Sequence, residues 1–283
     1  MDFSEKVVLI TGAGSGIGAA TAILFSKLSA KLVLVDKKGD NLKRIALYCE
    51  KAKSIKPLTI VADLTEDLDV ERIVKETIEQ TDKLDVLINN AGIIAMGGIK
   101  KTDMESFDKV ISTNVRSVYH LTMLCVPHLV NSKGCVINVS SISSSRPNTM
   151  SLAYNMSKAA LDQFTKCTAL ELATDGVRVN SVNVGFVKTN LFKDTGLTED
   201  QLDMFCKNIA CGTPLKRIVE GEEVANLISF LASDIAKKIK NQITSKSLNE
   251  TTLILHYLSK EYIKNIYCFA IHKLITCFFF LLF

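Results

Sequence analysis

The sequence predicts an α/β fold, in which a doubly wound parallel sheet forms a single domain. Two alternating patterns predict it. Short, wholly apolar runs such as residues 7–10 and 32–35 are too short for helices and are typical of strands buried on both faces. Longer segments between them repeat apolar residues every three or four positions, which is typical of helices that pack on a sheet.

Taken in chain order, these patterns give six strands and seven main helices. The first helix directly follows the first strand and a glycine-rich turn, with Ala20, Ile23, Leu24 and Leu28 on one face. The strands are predicted at 7–10, 32–35, 58–62, 84–88, 135–139 and 177–182. The later helices are predicted at 41–53, 69–81, 105–129, 154–173, 199–209 and 220–233.

The turn after the first strand points to a nucleotide. It carries four glycines at alternate positions: Gly12, Gly14, Gly16 and Gly18. Glycine permits a sharp turn and a close approach of phosphate, and the free N–H groups at the helix start, near Ile17, favour a pyrophosphate. Asp36 ends the second strand 18 residues after Gly18, near the spacing of about 20 for a carboxylate that binds an adenosine ribose. We therefore predict a dinucleotide site; a glycine turn of another α/β protein is the alternative.

Composition excludes other classes of protein. The apolar fraction of 47% is too high for general disorder. Residues 1–236 carry 27 basic and 28 acidic residues, a net charge of −1, so the main body lacks the basic footprint of nucleic-acid binding. The eight cysteines are scattered without metal-ligand spacing, which favours reduced thiols. The absence of an apolar stretch before the first strand argues against a secretory signal, and we expect a cytoplasmic protein.

Polar residues gather where strands end. Asp63 and Leu64 follow the third strand, the run 89–92 (Asn-Asn-Ala-Gly) follows the fourth, and Ser140 and Ser141 end the fifth. Ligands of open parallel sheets bind at this carboxyl edge. Further serines crowd the loop after Ser141, so composition alone does not select one of them.

Tyr154 and Lys158 are four residues apart and share one face of the predicted helix. A free phenol has a pKa of about 10 and exchanges protons poorly at neutral pH. A nearby ammonium favours the phenolate and is expected to lower the pKa of Tyr154. The pair suits a reaction in which a proton moves together with a hydride.

Three motifs together carry a family resemblance. Thr11-Gly12-x-x-x-Gly16-Ile17-Gly18, Asn89-Asn90-Ala91-Gly92 and Tyr154-x-x-x-Lys158 resemble those of the short-chain dehydrogenases/reductases, and the 3-oxoacyl-carrier-protein reductase-like members most of all. The resemblance covers residues 5 to about 236. It implies reversible hydride transfer between NAD(P) and a small-molecule carbonyl or secondary alcohol.

The resemblance also implies roles. Tyr154 exchanges the proton, and Lys158 tunes Tyr154 and holds the nicotinamide ribose. Ser141, selected by its spacing of 13 residues before Tyr154, hydrogen-bonds the carbonyl oxygen. Asn114 positions a relay water. The alternative is that Asn114 is an ordinary polar residue of the core, with its hydrogen bonds made to neighbouring groups.

The cofactor residues implied by the resemblance span the whole carboxyl edge. They are Gly12, Ser15, Gly16, Ile17, Gly18, Asp36, Asp63, Leu64, Asn90, Ala91, Gly92, Tyr154, Lys158, Val187 and Thr189. For Asp63 the alternative is a helix N-cap. Val184 stands where the family usually has proline. Asp36 favours NAD because a carboxylate repels a 2′-phosphate, whereas Lys37 and Lys38 leave NADP open.

The substrate is not readable from the sequence. Five apolar residues are candidates for a pocket, and they are equally consistent with ordinary core: Ile94, Met96, Met150, Phe186 and Phe192. The segment 190–214 is polar and irregular, and we interpret it as a lid over the substrate.

The resemblance fails from about residue 237. The tail, 237–283, has seven lysines, two acids and an apolar end, and lacks the glycines of the family's last strand. We therefore expect the final strand to be missing or altered. Membrane contact through this tail is possible, and the homo-oligomer implied by the family is in doubt. The alternatives are a catalytically impaired dinucleotide-binding protein and a membrane-tethered reductase.

Overall fold

The computed structural model describes residues 1–195, 198–213, 215–239 and 243–246, of which 193–195 and 243–246 are described by their backbone alone. Met1–Asn249 form one compact unit. The predicted membrane contact of the tail falls mainly on residues outside this described part. Within the described part, no helix is both long and apolar enough to cross a bilayer.

The described residues form seven strands and eight α-helices. The strands are β1 (Val7–Thr11), β2 (Lys31–Asp36), β3 (Leu58–Val61), β4 (Val86–Asn89), β5 (Cys135–Ser141), β6 (Arg178–Val184) and β7 (Ile243–Lys246). The helices are α1 (Gly16–Lys27), α2 (Gly39–Lys53), α3 (Asp67–Thr81), α4 (Met104–Ile111), α5 (Ser117–Ser132), α6 (Leu152–Glu171), α7 (Glu199–Gly212) and α8 (Gly221–Ala232).

The strands form one parallel sheet in the order β3-β2-β1-β4-β5-β6-β7. The order of the first six is that of a doubly wound dinucleotide-binding sheet, which confirms the predicted fold class. The chain reverses direction across the sheet between β1 and β4. A crevice therefore opens at the carboxyl ends of these strands, where the glycine turn lies.

The final strand is altered rather than missing. β7 pairs with β6 from Ser181↔Ile243 to Val184↔Lys246, although this stretch lacks the family's glycines. Ladder hydrogen bonds join main-chain groups, so a changed sequence still forms them. Over these residues β7 covers the edge that β6 would otherwise expose.

Both faces of the sheet are buried at the central strands, which explains why those strands are largely apolar. Val8 and Ile10 of β1 lie in a core cluster with side chains of α1 and α8. Val7 and Leu9, which point the other way, lie in a second cluster with side chains of α3 and α5. The two layers fix the strand ends that carry the polar residues.

The helix predicted over 105–129 is not uniform. Between α4 and α5 the chain forms a wider π-helical segment, Ser112–Arg116. Such widened turns often occur at functional sites. Asn114 lies within it and is fully buried.

Candidate active site

The glycine turn is shaped by two close approaches. Gly12 and Gly16 have φ angles of +65° and +54°, which side chains disfavour. A Cβ on Gly18 would lie 2.1 Å from the Gly12 carbonyl oxygen. The turn is thus folded tightly on itself and admits only glycine at these positions.

The start of α1 is available to an anion. Ser15 is its N-cap but makes no side-chain capping bond. The first N–H groups of a helix have no partner within the helix, and here they belong to Gly16, Ile17 and Gly18. The Thr189 side chain lies over Gly16, since a Cβ there would be 3.0 Å from the Thr189 Cβ. The structure thus places Thr189 beside the glycine turn.

Asp36 is held in place by the backbone. Its carboxylate accepts hydrogen bonds from the Gly14 N–H at 2.9 Å and the Lys38 N–H at 2.8 Å. A Cβ on Gly14 would lie 2.9 Å from the carboxylate oxygen Oδ2. The carboxylate therefore sits against the glycine turn, where an adenosine ribose would meet it.

Lys37 is paired with Asp63 across the ends of β2 and β3. Burial acts to raise the pKa of Asp63, but hydrogen bonds from Lys37 and Thr65 bring it down to about 2. The alternative that Asp63 caps a helix is wrong, because α3 begins after Glu66 and Asp63 instead closes a short turn with Thr65. Leu64 packs against the second core cluster.

Asn90 ties β4 to the glycine turn. Its side-chain amide donates to the carbonyls of Thr11 at 2.8 Å and Gly12 at 3.2 Å. In return, the Thr11 hydroxyl accepts from the N–H groups of Asn90 and Ala91 at 3.0 and 3.1 Å. Asn90 therefore supports the site through its neighbours, while Gly92 keeps space clear beyond it.

Ser141, Tyr154 and Lys158 meet at the carboxyl end of β5. The Ser141 hydroxyl lies close enough to the Tyr154 phenol to act on its pKa. The Lys158 ammonium lies 5.6 Å from the centre of the Tyr154 ring and donates to the Val139 carbonyl at 2.8 Å. All three side chains are at least nine-tenths buried. The structure thus brings together the three residues that the sequence singled out.

Burial dominates the electrostatics of this cluster. It raises the pKa of Tyr154 to about 12, although Ser141 acts the other way. Burial also lowers the pKa of Lys158 to about 8, against the opposing influence of Asp162. The expectation that the ammonium would lower the pKa of Tyr154 is therefore not met, because losing water disfavours the charged form of each group.

Asn114 joins the cluster from the π-helical segment. Its side-chain amide donates to the Ile93 carbonyl at 2.9 Å and to the Ser157 hydroxyl at 3.0 Å, and its Oδ1 accepts from the Ile93 N–H at 2.9 Å. A Cβ on Gly92 would lie 3.2 Å from the Asn114 Oδ1 and 3.6 Å from the Lys158 ammonium. Asn114 and Lys158 therefore face each other across Gly92.

An aromatic cluster stands beyond β6. The Phe186 ring lies 5.0 Å from Phe192 and 5.4 Å from Phe205, between ring centres. Phe205 belongs to α7, so this helix is anchored to the loop after β6, where Val187 forms a bridge with Val219. Of the candidate pocket residues, Phe186 and Phe192 are in contact, whereas Met150 is 46% exposed.

The other two pocket candidates, Ile94 and Met96, are half-buried. They precede Gly97, which pairs with Ser151 at the start of α6. This bridge brings their loop near Tyr154. That these two residues line a substrate pocket together with the aromatic cluster stays a prediction.

Two polar residues near the cluster are not among the predicted site residues. Asp162 lies one turn after Lys158 on α6, and Asn183 lies near the end of β6; both are buried. They contact each other, and Asn183 also contacts Ser141 and the turn that follows it. The spacing of four residues after Lys158 was a usable signal for Asp162. Asn183 directly precedes Val184, which stands where the family usually has proline, but its contact with Ser144 follows only from the pairing of β5 with β6.

Comparison with known proteins gives the family. The sequence profile of the short chain dehydrogenases matches residues 6–200. A meso-2,3-butanediol dehydrogenase from Serratia marcescens is 34% identical over 239 residues, which are 84% of this chain and 92% of that protein.

Two solved structures share the fold. L-Sorbose reductase from Gluconobacter frateurii, complexed with NADPH and L-sorbose, superposes with a TM-score of 0.82 at 30% identity, covering 89% of this chain and 99% of that one. A 3-ketoacyl-(acyl-carrier-protein) reductase from Brucella melitensis, complexed with NADH, gives 0.78 at 30% identity, covering 86% and 96%. This chain belongs to the short-chain dehydrogenase family and is an NAD(P)-dependent oxidoreductase that acts on carbonyl or alcohol substrates.

Proposed function

We propose that Ser141, Tyr154, Lys158 and Asn114 are the catalytic residues of this oxidoreductase. One observation carries the proposal: the phenol, its hydroxyl partner and the ammonium converge at the carboxyl edge, beside the glycine turn. A buried tyrosine paired with a buried lysine is costly for the fold, and perturbed groups of this kind concentrate at functional sites.

The residues at the edge fit a nicotinamide dinucleotide. The turn at Gly12–Gly18 is too tightly packed to admit a Cβ, α1 offers its open N–H groups beside it, and Asp36 is held against the turn, where a ribose would meet it. We assign the remaining predicted cofactor residues to the same cradle: Ser15, Asp63, Leu64, Asn90, Ala91, Gly92, Val187 and Thr189. When bound, the cofactor supplies or accepts the hydride.

The side chains donate the proton and stabilise the charges that form. In the direction of reduction, the Tyr154 phenol donates its proton to the carbonyl oxygen, and its raised pKa keeps that proton in place at neutral pH. Ser141 donates a hydrogen bond to the same oxygen and stabilises the charge that develops there. Lys158 presents a positive charge beside Tyr154, which favours the phenolate left behind. Asn114, across Gly92 from Lys158, positions a water for proton return.

Replacing Tyr154 with phenylalanine tests the central role. We expect kcat to fall roughly 10²- to 10⁴-fold, the usual contribution of a positioned acid, with cofactor affinity largely kept. Turnover is measured with a panel of ketones and secondary alcohols that includes 2,3-butanediol and L-sorbose. The control is Tyr48→Phe, an exposed tyrosine of α2. An active Tyr154→Phe enzyme would refute the assignment.

We propose NAD as the preferred cofactor. The carboxylate of Asp36 is fixed at the glycine turn, where a 2′-phosphate would meet a negative charge. Lys37, the nearest candidate to receive that phosphate, is paired with Asp63. The relatives with known structures include both an NADH and an NADPH complex, so the choice must come from this chain's own residues.

Asp36→Ala checks that choice. Losing a charged hydrogen-bond acceptor should lower kcat/KM for NADH by roughly 10- to 100-fold and raise the ratio of NADPH to NADH use. Steady-state kinetics with both cofactors measures the ratio. Asp40→Ala removes an exposed carboxylate from the first turn of α2 and serves as the control. An unchanged ratio would mean that Asp36 does not select the cofactor.

Lys158 makes stability depend on pH. Its pKa is about 8 in the folded chain, below the ordinary 10.5, so its contribution to stability is present above pH 10.5 and is lost as pH falls through 8. Lys158→Met removes this loss. Between pH 10 and pH 7, the variant should gain about 2–3 kcal/mol in free energy of unfolding relative to the wild type. Urea unfolding at pH 7, 8.5 and 10 measures the difference. Lys166→Met, at an exposed position of α6, is the control, and its free energy of unfolding relative to the wild type should hardly change between these pH values. A difference between Lys158→Met and the wild type that does not change with pH would contradict the prediction.

We also propose a cytoplasmic homo-oligomer. The outer faces of α5 and α6 expose Tyr119, Met123 and Met156, and the Tyr119 and Phe164 rings join the two helices at 5.8 Å; a copy of the chain would cover these side chains. The six described cysteines are all free, in keeping with a reducing compartment. Fractionation of cells, followed by sedimentation of the full chain, should give a multimer in the supernatant. A chain in the membrane pellet would overturn the location, and a monomer would overturn the assembly.

A further inference from the structure

We propose that Asp162 is a positioning residue for the reaction: it holds the Ser141 turn through Asn183 and places a negative charge beside Lys158. The inference rests on the proposed function, because it assigns a task to a residue that supports the proposed catalytic groups. Asp162 touches neither the Tyr154 phenol nor the Ser141 hydroxyl among the contacts seen in the described residues. It acts through its neighbours.

The first part of the argument is the chain of bonds from Asp162 to Ser141. The Asn183 amide donates to the Asp162 carboxylate at 2.6 Å and to the Ser144 hydroxyl at 2.8 Å. The same amide lies 3.3 Å from the Ser141 carbonyl oxygen. Ser141 and Ser144 begin and end the short turn that follows β5. Asp162 therefore orients the amide that anchors this turn.

The second part is burial. Asp162 is 7% exposed and Asn183 is 3% exposed, while Ser181, which is fully buried, donates to Asn183 Oδ1 at 2.8 Å and lies 3.3 Å from the carboxylate. A buried carboxylate that is satisfied only by neutral donors is expensive to keep. The packing of the core does not require a charged group at position 162, whereas the nearby Lys158 ammonium would be stabilised by one.

The third part is the position of that charge. The groups that face Lys158 are Tyr154 and Asp162 on α6, the Val139 carbonyl on β5, and Asn114 across Gly92. Of these, Asp162 alone is a carboxyl group. It raises the pKa of Lys158 against the effect of burial. Asp162 thus favours the charged form of Lys158, which the proposed mechanism requires.

Two variants separate the two tasks. Asp162→Asn removes the charge and disturbs the bond to Asn183, whereas Asn183→Ala breaks the link to the turn and leaves the charge in place. Asp175→Asn, at an exposed position after α6, is the control for loss of a carboxylate. Thermal melts with and without NADH establish that each variant is folded and binds cofactor.

The decisive readout is the pH profile of carbonyl reduction. We expect both variants to lose about tenfold or more in kcat with little change in the KM for NADH. Only Asp162→Asn should also move the alkaline limb to lower pH, because Lys158 then loses its proton earlier. A residue with a purely structural task would lower activity without moving this limb. An unmoved limb in folded Asp162→Asn, or full activity in Asn183→Ala, would overturn the corresponding half of the proposal.

A second readout does not need activity. The pH dependence of the stability difference between the wild type and Lys158→Met is measured again with Asp162→Asn in both chains. Without the carboxylate, the difference in free energy of unfolding should keep growing down to a lower pH than it does in the chains that retain Asp162. An identical pH dependence would reject the electrostatic role. If the wild type reduces no carbonyl but this shift is seen, the proposed function has failed and the coupling of Asp162 to Lys158 stands.

Discussion

The burial of a lysine at the carboxyl edge of the sheet is the constraint on which the rest of the site depends. The change in the pKa of Lys158 from 10.5 to about 8 means that the folded chain destabilises the charged form by about 3 kcal/mol relative to water. A domain with a typical net stability of about 5–15 kcal/mol can carry such a cost only if the surroundings are well packed. The two core clusters on either face of the sheet supply that packing.

The neighbours of Lys158 each offset part of this cost in a different way. The Val139 carbonyl accepts its hydrogen bond, the face of the Tyr154 ring lies 5.6 Å away, and Asp162 contributes an opposite charge. All of these come from β5 or α6, and α6 packs directly on β5 and β6. The positive charge is therefore held by the two elements that also carry Ser141 and Tyr154. The proposed proton chemistry and the fold therefore depend on the same contacts.

The sequence predicted the fold and the positions of the polar edge well, for a physical reason. A strand that is buried on both faces must be apolar throughout, and a glycine turn that admits no Cβ must be glycine, so both leave unambiguous local patterns. Gly12 and Gly16 with positive φ, and Gly18 packed on Gly12, are the structural counterparts of that pattern. Tyr154 and Lys158 share a helix, so their proximity followed from spacing alone.

The sequence was less informative where the outcome depends on environment. The pKa of Tyr154 turned on the balance between a nearby ammonium and the loss of water, and residue spacing carries no measure of burial. Asn183 reaches Ser144 only because β6 lies beside β5, a contact between residues 39 apart. The widened turn at Ser112–Arg116 has no clear signature in a run that reads as continuous helix.

The pairing of β7 likewise depends on the main chain, which the altered side chains at this end of the sequence do not prevent. The family's last strand was expected to be missing or altered because its glycines are absent, yet β7 still pairs with the last four residues of β6. Pairing requires only an exposed edge and an extended main chain, whereas the family's sequence ending reflects side chains that suit other contacts. Ser181 and Asn183 of β6 lie opposite Ile243 and Ser245, and their side chains bind the Asp162 network. The strand that the tail pairs with is thus the strand that holds the Ser141 turn through Asn183, so β7 and the proposed catalytic residues have β6 as a common neighbour.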